Sequence, residues 1–345
     1  MKKSSIPEEI INKIKQIIEN FDDPLTKKPL KIDDPNINLA FKDNHLNISF
    51  EIDPSKIDAY LEIKKKLEEN IAKIKDILSV NVILTSEKKS HPEKKVARFL
   101  VNSKNIIAIA SGKGGVGKSS FATNLALALK ELGNRVGLLD ADIYGPSIPR
   151  MMGVYEKPVA NENKKLIPLE RYGIKCMSIG FLIDVDTPAI WRGPMVIKAL
   201  DQMFNGVEWG VLDYLIIDLP PGTGDAHLSL AQESKLTGAI IISTPQEVAL
   251  ADVKKGINMF KKVNVPLIGL VENMSYFLCE KCDTRHEIFS NGGARNQALQ
   301  SKIPFLGELP IDKNLRINSD NGTPIVFSDP KSEIAKKYFE IAKKI

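Results

Sequence analysis

Residues Gly112 to Ser119 read Gly-Lys-Gly-Gly-Val-Gly-Lys-Ser and directly follow the apolar run Ile106-Ile107-Ala108-Ile109-Ala110. Gly112, Gly114, Gly115 and Gly117, with Val116 among them, let the backbone curl closely around a di- or triphosphate so that its amides point inward. A helix starting near Lys118 adds the positive end of its dipole. In such a loop Lys118 reaches the β- and γ-phosphates and the Ser119 hydroxyl ligates Mg²⁺. The chemistry expected is nucleotide binding with a divalent cation.

Carboxylates fall where that chemistry needs them. Asp218 closes the run Tyr214-Leu215-Ile216-Ile217 and precedes Leu219-Pro220-Pro221-Gly222-Thr223-Gly224-Asp225. At a strand's carboxyl end, beside the phosphate loop, it can hold Mg²⁺ through the water shell, and the Pro-Gly run suits a segment that senses the γ-phosphate. Asp140 and Asp142 lie at a second strand end, after Val136-Gly137-Leu138-Leu139.

Cys279-Glu280-Lys281-Cys282 supplies two thiolates spaced to share one metal centre: a redox pair, half a zinc site or half a cluster site. Cys176 reads as a buried strand residue, and His286 as a solvated histidine with a third-ligand role as the alternative. Four thiolates then require two chains. A dimer axis near Cys279 and Cys282 completes a Cys₄ site suited to a [4Fe-4S] cluster or to zinc.

These residues need a scaffold, and the pattern of the chain specifies one. From Ile106 onward, short apolar runs at 136–139, 214–217, 239–242 and 267–271 alternate with helical stretches. Strands apolar on both faces indicate a parallel sheet covered by helices. Residues 1–86 form a smaller α/β unit: helical spacing at Ile10-Ile14-Ile18 and from Ile57 to Leu78, strands at 46–52 and 80–84. Residues 87–104 are charged and aperiodic and read as a linker, leaving 105–345 as the nucleotide-binding domain. The fold class expected is α/β, a P-loop NTPase preceded by a small α/β domain.

The chain has 345 residues, 43% hydrophobic and 26% charged, with a net charge of +5. That balance supports two globular domains. The 40 lysines against 8 arginines disfavour arginine-driven nucleic-acid recognition. No apolar run approaches the ~20 residues that cross a bilayer, the first residues lack a signal core, and three cysteines exclude a disulfide framework. A cytoplasmic protein is expected, with neither nucleic acid nor membrane as partner.

Lys113, a second lysine inside the loop, makes it resemble the deviant loop of the MinD, nitrogenase iron protein and arsenite-pump ATPase class. That resemblance implies a nucleotide-sandwich dimer in which Lys113 reaches the phosphates held by the other subunit. Taken with Asp140 to Pro149, Trp191-Arg192-Gly193-Pro194-Met195, Asp218 to Asp225, Thr244-Pro245-Gln246-Glu247, Glu272-Asn273-Met274-Ser275 and the two cysteines, residues 100–345 resemble the Mrp/ApbC-type iron-sulfur cluster carrier ATPases. The resemblance implies an ATP-hydrolysing homodimer that holds a [4Fe-4S] cluster between subunits, takes it from cluster donors and delivers it to apoproteins. It also implies that Lys113, Lys118 and Asp142 are catalytic, Asp142 orienting the attacking water, with Asp140 nearer the metal. Asn273 and Leu309-Pro310-Ile311-Asp312 would flank the adenine. The N-terminal unit is similar to a small domain fused ahead of such ATPases, although it contains no cysteine. Rival readings are a MinD/ParA-like positioning ATPase without metal, its 334–345 segment an amphipathic anchor, and a zinc-stapled structural dimer.

Overall fold

The computed structural model describes residues 8–85 except 25, 35, 43 and 53–56, residues 99–182, and residues 193–345 except 223 and 225–229. The chain divides into two compact units, Met1–Lys94 and Lys95–Ile345. Most of the stretch expected as a linker, together with Trp191, Arg192, Thr223 and Asp225, lies outside the described residues.

In the first unit, α1 (Glu8–Glu19) carries Ile10, Ile14 and Ile18 on one face and buries all three. Strands β1 (Ile37–Lys42), β2 (His45–Glu51) and β3 (Ser79–Thr85) form a sheet in that order, β2 antiparallel to β1 and parallel to β3. Alternation buries Leu46, Ile48 and Phe50 of β2 against α2 (Ile57–Ile71), which contributes Leu67 and Ile71. That helix is shorter than the 57–78 spacing suggested, because the chain turns from residue 72 and Ile77 enters the core from a loop.

The second unit runs β4 (Ser103–Ser111), α3 (Lys118–Glu131), β5 (Val136–Asp140), α4 (Ile148–Met152), β6 (Leu169–Arg171), β7 (Ile174–Ser178), α5 (Gly193–Asn205), β8 (Leu212–Asp218), β9 (Gly238–Ser243), α6 (Glu247–Lys262) and β10 (Leu267–Glu272). It continues with the hairpin strands β11 (Phe277–Leu278) and β12 (Arg285–His286), then α7 (Gly293–Ser301), β13 (Phe305–Glu308), α8 (Lys313–Asp320), α9 (Ile325–Ser328) and α10 (Glu333–Ala342). The main sheet has the order β13-β10-β9-β4-β8-β5-β7-β6, parallel throughout except for the antiparallel edge strand β6. Ile106–Ile109, Leu215–Ile217 and Ile240–Ile242 are unbroken apolar runs because helices cover both of their faces. The chain leaves β4 toward β5 on one side and later returns to β9 on the other. The crevice at the carboxyl end of β4 is therefore a switch point, where open α/β sheets bind ligands.

Packing fixes the helix that opens onto that crevice. Residues Phe121 to Leu129 of α3 are all buried, and Phe121 meets Tyr338 of α10 at a ring separation of 5.9 Å. Ile334, Ala335, Tyr338 and Ile341 of α10 are buried as well, so its apolar face is spent on α3 and β13 and offers no membrane anchor. Full burial of such side chains contributes about 1.5–3 kcal/mol each. Among the described residues no helix is long and apolar enough to cross a membrane.

Candidate nucleotide and metal site

The loop between β4 and α3 lines an open cavity of about 150 Å³ together with Asp142, Met151 and Pro221. Lys113 through Ser120 all border it. Gly115 and Gly117 adopt φ of 79° and 81°, and Gly117 serves as the N-cap of α3, so the loop turns where an L side chain would be strained. Gly112 answers a different need: a Cβ there would lie 2.4 Å from the Cβ of Asp252, because α6 passes directly against the loop. Lys113 stands half-exposed on the cavity rim, while the Ser111 hydroxyl donates to its carbonyl at 2.9 Å.

Lys118 is buried and donates to Asp218 Oδ1 at 2.5 Å, with the Ser119 hydroxyl 3.5 Å from its ammonium. Asp218 is fully buried, and among the described residues its other oxygen, Oδ2, has no hydrogen-bond partner. Burial pushes its carboxyl above the usual range, against the pull of Lys118. A carboxylate oxygen without a partner beside Ser119 fits the donor set of a hydrated Mg²⁺, which Asp218 and Ser119 would hold.

Asp140 pairs in register with Asp218 across β5 and β8. Its Oδ1 accepts from the Asp142 amide at 3.1 Å, and its Oδ2 from the amides of Ser147 and Ile148 and the Ser178 hydroxyl at 3.0–3.2 Å. Asp140, expected near the metal, accepts these amide bonds from the turn at 142–148. Burial, reinforced by Asp218, pushes its carboxyl up to about 7. Asp142 is the carboxylate that reaches the cavity. Burial raises it too, against the pull of Lys118, and the Gly145 amide donates to it at 3.3 Å.

Asn273, at the end of β10, donates its side-chain amide to the Val116 carbonyl at 2.8 Å and lies where a Gly117 side chain would be. The residue expected beside the adenine thus also clamps the loop. Among the described residues its buried Oδ1 has no hydrogen-bond partner. Asp312 caps α8 by accepting from the Leu315 amide at 2.7 Å.

Cys279 and Cys282 lie between β11 and β12. The Cys279 amide donates to the Thr284 carbonyl at 3.0 Å, the Asp283 amide donates to the Cys279 carbonyl at 2.9 Å, and Asp283 takes a positive φ, which folds the segment into a tight knuckle. Cys279 is half-buried and Cys282 exposed. The Thr284 hydroxyl and amide, and then the Cys279 thiol, draw the Cys282 thiol below its usual range. His286 pairs with Phe277 on the hairpin, and among the described residues no third His, Cys, Asp or Glu joins the two thiols in a metal-binding group. Cys176 is buried in β7, across the sheet from the hairpin, its thiol pushed up to about 12 by burial.

Residues to which sequence reasoning assigned no role lie near the hairpin. Arg285 of β12 donates to Glu308 of β13 at 2.9 Å and lies 3.9 Å over the Tyr276 ring. Glu272, fully buried, accepts from the Gly292 and Ala294 amides and the Ser275 hydroxyl. Its place at the end of an apolar strand, like those of Asp140 and Asp218, was the available signal.

A glycine-rich loop opening a buried helix at the switch point of a parallel sheet, with a lysine-aspartate pair beneath it, defines a P-loop NTPase. The profile of the NUBPL iron-transfer P-loop NTPases, within the ParA group, matches residues 102–345. The chain belongs to that family. It is 54% identical over 258 residues to an iron-sulfur cluster transfer protein NUBPL of Dictyostelium discoideum, covering 74% of this chain and 80% of that one. It is 40% identical over 340 residues to an iron-sulfur cluster carrier protein of Escherichia coli, covering 98% and 92%. A solved nucleotide-binding protein of Archaeoglobus fulgidus in complex with ADP matches at a TM-score of 0.60 with 40% identity, covering 69% of this chain and 92% of that one.

Proposed function

We propose that two copies of this chain hold one [4Fe-4S] cluster between their Cys279–Cys282 knuckles, receive it from a cluster donor and release it to apoproteins, in a cycle of ATP binding and hydrolysis. One observation carries the reading: each chain offers two thiols on an exposed knuckle and, among the described residues, no further ligand beside them. A cluster that prefers four thiolates then draws its other two from a second chain. The carrier and transfer names of the relatives point to the same cargo.

The nucleotide end has the parts for hydrolysis. Loop amides and Lys118 neutralise the phosphates. Ser119 and Asp218 would hold Mg²⁺, which supplies further charge neutralisation when bound. Asp142, facing the cavity with a raised carboxyl, orients the attacking water. Lys113, on the rim, reaches the phosphates held by the partner subunit and so makes turnover depend on the dimer. Anaerobic reconstitution with iron and sulfide analysis, combined with sedimentation, tests the proposal. About four irons and four sulfides per dimer are expected. Iron retained by a strict monomer, or zinc retained with no iron uptake, would refute it.

A further inference from the structure

The chain between the phosphate loop and the thiols is tied down at almost every step. Asn273 grips Val116 of the loop at 2.8 Å and donates its own amide to Ser243, at the end of β9, at 2.7 Å. The Ser275 amide donates to the Leu309 carbonyl at 2.9 Å, the Ile311 amide to the Tyr276 carbonyl at 2.7 Å, and Phe277 bridges to Ile311. Beyond the sheet, β10 and β13 thus continue as a laced ribbon that ends in the cysteine knuckle. Side chains bind the far strand of the knuckle to the same ribbon. The Ser275 hydroxyl donates to Glu272 at 2.7 Å and lies 3.3 Å from Glu308, and Glu308 accepts from Nη1 and Nη2 of Arg285 at 2.9 and 3.4 Å. The Arg285 guanidinium also lies 3.9 Å from the centre of the Tyr276 ring, a second contact that restrains it.

We propose that the Arg285–Glu308 pair is the positioning link by which a nucleotide in the loop and a cluster on the knuckle sense each other; the inference rests on the carrier reading above. Neither residue lines the phosphate cavity or bears a cluster ligand. A displacement of the loop reaches Asn273, passes along the ribbon to Glu308, and turns β12, which carries the Cys282 side of the knuckle. The pair is partly shielded, with side-chain exposures of 36% and 21%, so it is stiffer than a solvated ion pair. Because coupling is reciprocal, a cluster that changes ATP affinity has its own affinity changed by ATP by the same factor.

The test compares the dissociation constant of Mg-ATP for cluster-loaded and cluster-free full-length protein, measured anaerobically by calorimetry. In wild type the two constants are expected to differ by about 5-fold or more, a ratio that falls below about 2-fold in Arg285→Ala and Glu308→Gln. Arg285→Lys, which keeps the charge but not the fork, should retain part of the ratio. Cluster content and the ATP affinity of the cluster-free protein should stay near wild type in all three variants. A purely structural role would shift both constants together and leave their ratio intact, which would overturn the proposal. A wild-type ratio near one would overturn it too while leaving the carrier reading standing. Wild-type protein that takes up no cluster would remove both.

Discussion

One ammonium, that of Lys118, stands among the buried carboxylates of Asp218 and Asp140 before any phosphate arrives. Removing it does more than empty the loop. Lys118→Ala should abolish nucleotide binding and also destabilise the nucleotide-free protein by about 3–5 kcal/mol at pH 8, the usual cost of stranding a buried charge. At pH 6 the loss should shrink, because protons can take the place of the ammonium on carboxyls that burial has already raised. Urea titrations at both pH values check this, and equal losses would contradict it. The same burial makes the wild-type protein pH-dependent. Asp140 titrates near 7 in the fold but near 3.8 when unfolded, so the folded state keeps a proton that the unfolded chain releases between those values. The stability this group contributes is present below about pH 4 and is lost as pH rises through 7. Thermal midpoints of the nucleotide-free protein should fall across that window, and Asp140→Asn should flatten the slope. An unchanged slope would mean that the turn amides keep Asp140 ionised.

At the scale of elements, the close fit between the loop and the end of β10 sets what each glycine tolerates. Gly117→Ala meets both a positive φ and the Asn273 amide, whereas a Cβ at Gly114 has nothing within 4 Å. The first variant should lose roughly 1–3 kcal/mol and weaken nucleotide binding, and the second should be nearly neutral for stability. Equal melting temperatures for the two would break the clamp argument. The same region shows what the sequence discloses. Strands β4, β5, β8, β9 and β10 are legible because burial on both faces demands uninterrupted apolar runs, and the phosphate loop because its glycines answer a local geometric need. Strands β6, β11 and β12 are two or three residues long, too short to show a period. β1 alternates Ile37-Asn38-Leu39-Ala40-Phe41 and was readable, while β13 is interrupted by Gly307 and follows Pro304. The amides that Asp140 collects could not be read from the sequence, because composition cannot tell a strand-end acid that faces a cavity from one that anchors a turn. The grip of Asn273 on Val116 spans 157 residues, and nothing in either neighbourhood announces the other.

For the whole molecule, the three cysteines divide by place. Cys176 is sealed in β7, while Cys279 and Cys282 lie on the hairpin beyond β10. Replacing either hairpin cysteine with serine should abolish cluster retention while nucleotide binding survives. Cys176→Ser should leave the cluster in place and cost only stability, since a hydroxyl buried without a partner is penalised by about 1–3 kcal/mol. Iron content and ATP affinity of the three variants decide it, and a cluster that persists in Cys279→Ser would end the bridging model. The strand order carries a consequence of another kind. β4 is the first strand of the ATPase unit to be synthesised, yet its two neighbours in the sheet are β8 and β9, so Ile107 must wait for Gly238. On a ribosome adding about 5–20 residues per second, that interval is on the order of ten seconds. Through it the strand that ends in the phosphate loop lacks its β9 neighbour, and Asn273, the loop's clamp, is made later still. The sheet that carries the phosphate loop can therefore be completed only after most of the chain has been made.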